Sequence, residues 1–219
     1  DGIRYQPRSR GLGDVYKRQE LINDVPIKLI VSDNCEYCDP LEKLLRELAD
    51  LSDGKIKLEI IKINDDISKR IGVNKGPVIL IGDNEEVRYT GAPFGEEGWG
   101  FLETIAIVSN KKHNLENYAE QLRKLPKVIR IETIVTPSCP YCPHAALIAN
   151  RIAIASNGRV VSDVIEAYEF PEIVNKWNIS AVPVIVLSVE KPYSGEIFVV
   201  GLPDEKQLVN AILKLSAGE

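Results

Sequence analysis

The chain has 219 residues, 44% of them apolar, enough for one large or two small packed cores, and a net charge of −5 with both signs interspersed. Such a balance offers no basic stripe for nucleic acid and no cationic amphipathic helix for a membrane surface, and no apolar run reaches the length of a bilayer span. With no basic start followed by an apolar stretch, no secretory signal is read, so a cytoplasmic location with protein or small-molecule partners is expected.

Residues 1–19 combine several Arg and Gly with no apolar period, and the chain contains no Met. They read as a non-native leader, a sequencing or cloning scar, and are set apart from the fold. Beyond them Ile27 to Val31 reads as a strand, and Leu41, Leu44, Leu45 and Leu48 form a helical face that Gly54 ends. A strand over Ile56 to Ile63, a short helix over Ile67 to Ile71 and the apolar run Val78 to Ile81 behind Gly76-Pro77 come next. Gly82-Asp83-Asn84 turns the chain into Val87 to Tyr89, expected to be an edge strand, before a helix near Glu96 to Val108.

The same order then recurs: strand Val128 to Val135, helix Ala145 to Ala155, strand Val160 to Ile165, short helix Pro171 to Trp177, strand Val184 to Leu187 behind Val182-Pro183. A turn around Pro192 to Gly195, a strand Ile197 to Val200 and a helix Asp204 to Leu215 complete it. Leu115, Tyr118, Leu122 and Leu125 make a helical stripe between the halves, stopped by Pro126. The reading is therefore two units, 20–113 and 114–219, with no Gly/Ser-rich tether between them and so packed into one body. The second unit's helix Ala145 to Ala155 is apolar round most of its circumference and needs cover from the other unit.

All four cysteines fall in two Cys-x-x-Cys motifs, Cys35-Glu36-Tyr37-Cys38 and Cys139-Pro140-Tyr141-Cys142, each where a strand gives way to a helix. Their first cysteines are 104 positions apart (139 − 35). From first cysteine to the later proline the distance is 42 positions (77 − 35) in one half and 44 (183 − 139) in the other. At a helix N-terminus, free backbone N–H groups and the helix dipole stabilise the thiolate, the form that attacks disulfides. Cys35 and Cys139 are the expected nucleophiles, and Cys38 and Cys142, one turn later, the resolving thiols.

These residues, with Thr136 to Pro143, Ala181-Val182-Pro183 and the strand–helix order, resemble the thioredoxin and glutaredoxin fold, and more narrowly the tandem protein disulfide oxidoreductases of thermophilic archaea and bacteria. The resemblance implies an α/β fold of two tandem thioredoxin-like units, each a central mixed sheet flanked by helices. It implies a reductase, oxidase or isomerase repertoire on protein disulfides, electrons drawn from a thioredoxin-reductase-like flavoprotein, a peroxiredoxin among the recipients, and no cofactor besides the dithiols. It also implies that Pro77 and Pro183 are cis, so that a peptide pairs with the backbone of Gly76 or Val182, beside Tyr37, Pro140 and Tyr141 of the motifs. Lys75-Gly76-Pro77 departs from the family, which carries a bulkier residue or Ala where Gly76 stands.

Asp33, Glu36 and Asp39 surround the first motif, whereas Thr136, Ser138, prolines and His144 surround the second. Each nearby charge is worth on the order of 1 kcal/mol, comparable with a dipole contribution of about 0.3–1 kcal/mol, so Cys139 is expected to be the more acidic thiol. Glu132, inside an apolar strand, is a candidate proton acceptor for Cys142, although alternation sets it opposite Thr133, where thioredoxins place their buried acid. His113 reads as a polar surface residue of the linker, and Trp99 and Trp177 as packing residues. The alternative is a non-catalytic scaffold in which the cysteine pairs hold metal or peptide. A single zinc site, however, draws its cysteine pairs from about 12–20 residues apart.

Overall fold

The computed structural model describes residues 21–189 and 194–218, which excludes the expected leader and most of the turn around Pro192. Eight strands form one sheet in the order β2-β1-β3-β4-β6-β5-β7-β8: β1 Val25–Val31, β2 Ile56–Lys62, β3 Val78–Ile81, β4 Val87–Thr90, β5 Ile129–Val135, β6 Val160–Glu166, β7 Val184–Val189 and β8 Ser194–Val200. Seven helices accompany them among the described residues: α1 Cys38–Leu51, α2 Asp66–Arg70, α3 Glu97–Asn110, α4 Glu116–Arg123, α5 Cys142–Ser156, α6 Pro171–Trp177 and α7 Glu205–Ala217. Each half repeats one plan, a parallel pair (β1 with β2, β5 with β6) followed by antiparallel β3–β4 or β7–β8.

The periodicity explains which face each helix covers. Val25, Ile27 and Leu29 of β1 and Ile129 and Ile131 of β5 point to the main core, where α1, α3, α4, α5 and α7 pack. Ile30 and Ile134 point the other way, toward the smaller cores of α2 and α6. In α1, Leu41, Leu45 and Leu48 are buried on one stripe, each worth roughly 1.5–3 kcal/mol of transfer free energy. Helix α4 packs on α5 and α7.

The expected edge strand is not an edge. β4 pairs in parallel with β6, Val87 opposite Ser162 through Thr90 opposite Ile165, and all four of its residues are buried. Arg88 and Arg130 both bond the buried Asp163 carboxylate, at 3.4 and 3.2 Å, and Thr90 donates its hydroxyl proton to it at 2.7 Å. The arginine of this strand is thus paired within the seam between the halves.

On the main face α3 supplies the cover that the apolar α5 needs. The two helices run in the same direction, touching where Gly100 faces Pro143 and again where Asn150 donates to Thr104 Oγ1 at 2.9 Å. A Cβ on Gly100 would stand 3.0 Å from that of Pro143, so glycine sets the spacing. Asn150 also donates to the Tyr89 hydroxyl at 3.1 Å and accepts from Ser162 at 2.7 Å, which ties both halves into one buried polar network.

Candidate active site

Both cysteine motifs open at the same edge of the sheet, because the parallel β4–β6 junction keeps β1 and β5 pointing one way. Three strands stand between β1 and β5, so the sites are about 19 Å apart at ~4.8 Å per strand. Cys35–Cys38 and Cys139–Cys142 are each closed as disulfides with Cα atoms 5.4 Å apart. Cys38 and Cys142 begin α1 and α5 and are buried, whereas Cys35 and Cys139 lie partly exposed in the preceding turns. Neither helix has a side-chain cap on its first N–H groups.

Beside each motif runs the loop of the expected proline. Gly76–Pro77 and Val182–Pro183 are both cis, and the Val182 carbonyl oxygen lies 3.9 Å from Cys139 Sγ. The first loop is tighter. A Cβ on Gly76 would meet the Ile30 carbonyl oxygen at 2.8 Å and the Ser32 nitrogen at 3.1 Å, which explains the departure at this position. The Gly76 N–H is also held by Ser32 Oγ at 3.0 Å, so an incoming strand finds that donor already engaged.

The grooves differ in charge. The first, of about 630 Å³, is lined by Asp33, Glu36 and Tyr37 of its own half and by Tyr168 and Glu169 of the other. The Glu169 carboxylate accepts the Ala92 N–H at 2.7 Å, and burial, with Glu166 and Glu36 nearby, pushes its pKa up to about 7. The field of Glu36 foremost, then burial, Glu169 and Glu166, raises the pKa of Tyr37. The groove beside Val182, of about 480 Å³, is lined by residues such as Pro171, Val174, Ile179 and Ala181 with no charged side chain. Tyr37 touches Phe94 edge-on at 6.1 Å; Tyr141 is exposed, as is Pro140.

Several expectations for the surrounding residues change. Glu132 faces α6, not α5: it accepts the Trp177 indole N–H at 3.0 Å on the face opposite Cys142, so it does not serve that thiol. Thr133 is the buried residue on the Cys142 side, its hydroxyl without a partner among the described residues. His113 is buried, its Nδ1 accepting the Leu115 N–H at 3.0 Å, and so caps a turn instead of facing solvent. Trp99 reaches across from the first half to the ring of His144, centroids 4.9 Å apart.

A buried acid without any signal in the sequence begins the helix that packs on the second site. Glu97, 2% exposed, begins α3 between two contacts with the Cys139 region, the Glu96 N–H on the Pro137 carbonyl at 2.8 Å and Gly100 against Pro143. Both its carboxyl oxygens are buried without a partner among the described residues, and burial raises its pKa to about 8. In sequence it is one of two glutamates at a helix start, where acids are commonplace. Only the packing of α3 on α5 reveals it.

A tandem thioredoxin fold with a Cys-x-x-Cys disulfide at a helix start in each half defines a thiol–disulfide oxidoreductase. The chain matches the thioredoxin domain family over residues 25–99 and 129–214 and belongs to it. It is similar to a protein disulfide oxidoreductase from Aeropyrum pernix K1, at 29% identity over 96% of this chain and 92% of that one, with a TM-score of 0.84. It shares its fold with the alkylhydroperoxide reductase AhpF from Enterococcus faecalis, at 24% identity over 95% of this chain and 100% of that one, TM-score 0.77. Comparison with curated proteins yields no match.

No helix among the described residues is long and apolar enough to cross a membrane. Nor do the described residues contain a cluster of three or more His, Cys, Asp or Glu able to hold a metal ion.

Proposed function

We propose that the protein exchanges disulfides with protein substrates at two sites, within units bounded near Asn114. Cys35 and Cys139 attack, a mixed disulfide forms, and Cys38 and Cys142 resolve it. Substrate lies against Tyr37, Gly76 and Pro77 at the first site, where Ser32 already holds the Gly76 N–H, and against Pro140, Tyr141, Val182 and Pro183 at the second, pairing there with backbone as an added strand. The observation that carries this reading is the placement of each partly exposed cysteine at an uncapped helix start beside a cis-proline loop. Because Cys142 is buried, its proton needs a nearby acceptor before it attacks; we assign that role to Glu97, whose buried carboxylate is ionised only above about pH 8.

The second site is the more reactive, since Asp33, Glu36 and Asp39 oppose a thiolate at Cys35 while the lining of the Val182 groove carries no charge. Electrons come from a thioredoxin-reductase-like flavoprotein, and a peroxiredoxin is one recipient. The compartment is the cytoplasm, where dithiols are kept reduced and available. Insulin reduction driven by dithiothreitol tests the reading: the intact chain reduces insulin, Cys139→Ser loses most of the rate and Cys35→Ser the smaller share. Stoichiometric zinc without reductase activity selects the scaffold instead. In a pulse of iodoacetamide near neutral pH on the reduced chain, Cys139 is alkylated first; earlier labelling of Cys35 overturns the ranking.

A further inference from the structure

The groove at the first disulfide is built by both halves, and its wall from the second half is acidic. Asp33 and Glu36 stand exposed beside Cys35, and Glu169 faces them from the loop after β6. Lys75 is the one cation among the described residues that line this groove, and its ammonium is already committed. It donates to the Glu169 carbonyl, lies 3.9 Å from Glu172 and sits 4.4 Å above the Phe170 ring. Behind Glu169, the Glu166 carboxylate accepts the Glu169 N–H at 2.6 Å with one oxygen; the other is buried without a partner among the described residues. Glu36, Tyr37 and Glu169 line this one groove from the two halves.

The groove beside Val182, whose carbonyl lies 3.9 Å from Cys139 Sγ, has a different character, mostly apolar with no charged side chain, and the exposed Tyr168 lines both grooves as a partition. At the first site the Gly76 N–H is held by Ser32, so recognition there rests more on side chains than on strand pairing. Above about pH 7, where Glu169 is ionised, a cationic side chain next to a substrate's sulfur would meet carboxylates on two sides. An anionic one would meet only repulsion.

We propose that the two sites divide substrates by charge: the first takes a disulfide flanked by Lys or Arg, seated between Asp33, Glu36 and Glu169, and the second takes uncharged, apolar flanks. The division rests on the disulfide-exchange reading above. In the step concerned, the Cys35 thiolate attacks one sulfur of the peptide disulfide, and the other peptide sulfur leaves as a thiolate that takes a proton from water. The Cys38 thiolate then attacks Cys35 Sγ, closing the Cys35–Cys38 bond and expelling the second peptide sulfur, which is protonated in turn. Two electrons and two protons pass from the dithiol to the peptide, and the dithiol is formed beforehand with dithiothreitol that is then removed.

The test uses full-length chains with one site left, Cys139→Ser/Cys142→Ser and Cys35→Ser/Cys38→Ser, both pre-reduced and assayed above about pH 7, where Glu169 is ionised. Each reacts with cyclic disulfide peptides of one sequence flanked by two Lys or by two Glu, and rates are followed by acid quench. A net charge of −5 draws cations to either site, so the readout is the Lys-to-Glu rate ratio at one site relative to the other. At low salt the first site favours Lys by about tenfold more than the second does, and about 0.5 M salt removes most of this excess. Glu36→Gln/Glu169→Gln in the first-site chain brings the two ratios within about twofold of each other. Equal ratios at the two sites without those substitutions overturn the proposal. Absence of exchange with every peptide at both sites refutes the redox reading itself, and the proposal with it. If a double substitution prevents folding, the chain carrying only Cys38→Ser and Cys142→Ser traps each peptide as a mixed disulfide, and mass spectrometry reads the same ratio from the adducts.

Discussion

Replacing Glu97 by Gln tests whether a buried, unpartnered acid lies against the second site. Burial raises this carboxyl from 4.5 to about 8. Below pH 4.5 the native and unfolded chains both hold the proton, and the residue's ionisation costs nothing. Between there and pH 8 the unfolded chain releases the proton while the native one keeps it, so native stability falls as pH rises; above pH 8 the cost is complete. At about 1.36 kcal/mol per pH unit, the loss from pH 5 to pH 9 is on the order of 4 kcal/mol. The amide of the Glu97→Gln variant has no proton to lose. Whatever that amide costs is the same at both pH values, so the variant gains on the wild type by that amount across the range. Urea unfolding with both disulfides intact reads this as a relative shift in midpoint of ~2 M between pH 5 and pH 9, taking a slope of ~2 kcal/mol per M. A gap between variant and wild type that is constant with pH would show that Glu97 titrates in the ordinary carboxylate range and would remove it from the mechanism. In exchange assays on the second site alone, the same substitution removes a pH dependence centred near 8.

Asp163→Ala leaves Arg88 and Arg130 without the carboxylate they share in the seam between the halves, at a cost of about 3–5 kcal/mol for a broken buried pair; a urea midpoint equivalent to less than about 1 kcal/mol would show that the seam does not depend on it. Gly76→Val drives a side chain into the Ile30 carbonyl and the Ser32 nitrogen, both backbone, and costs about 1–3 kcal/mol. It also disables exchange at Cys35 while Cys139 keeps its rate, which single-site chains measure directly.

The strand and helix order was legible because each element advertises its period: Leu41, Leu45 and Leu48 at helical spacing, Val78 to Ile81 as a run buried on both faces. The register between Cys35 and Cys139 disclosed the duplication. What escaped depends on contacts between the copies. Val87 to Thr90 carries an arginine and reads as an edge until Asp163, 75 positions on from Arg88, is brought beside it. Glu132 shares a strand with Thr133, and period-two alternation already set the two on opposite faces; the Trp177 indole then accounts for its carboxylate. The helix of Glu97 and the wall formed by Glu169 each belong to one half and pack beside the other's motif, a relation that no pattern within either half contains.

The spacing between sites has a kinetic consequence of its own. Disulfide exchange needs attacking and attacked sulfurs in bonding contact, near ~2 Å, whereas the two dithiols open about 19 Å apart on one continuous sheet. The β4–β6 seam and the α3–α5 contact tie the two halves together along the sheet and across the helices. The expected route for electrons between the sites is therefore another molecule that visits both. If the chain is half-reduced with limiting dithiothreitol, redistribution of the oxidised bond between Cys35–Cys38 and Cys139–Cys142 must proceed by collision of two chains. Its observed rate constant, the fraction redistributed per unit time as followed by alkylation and mass spectrometry, should rise about a hundredfold when protein concentration is raised a hundredfold. A rate independent of concentration would mean that the sulfurs meet within one chain, and the rigid eight-stranded sheet would have to open for them to do so.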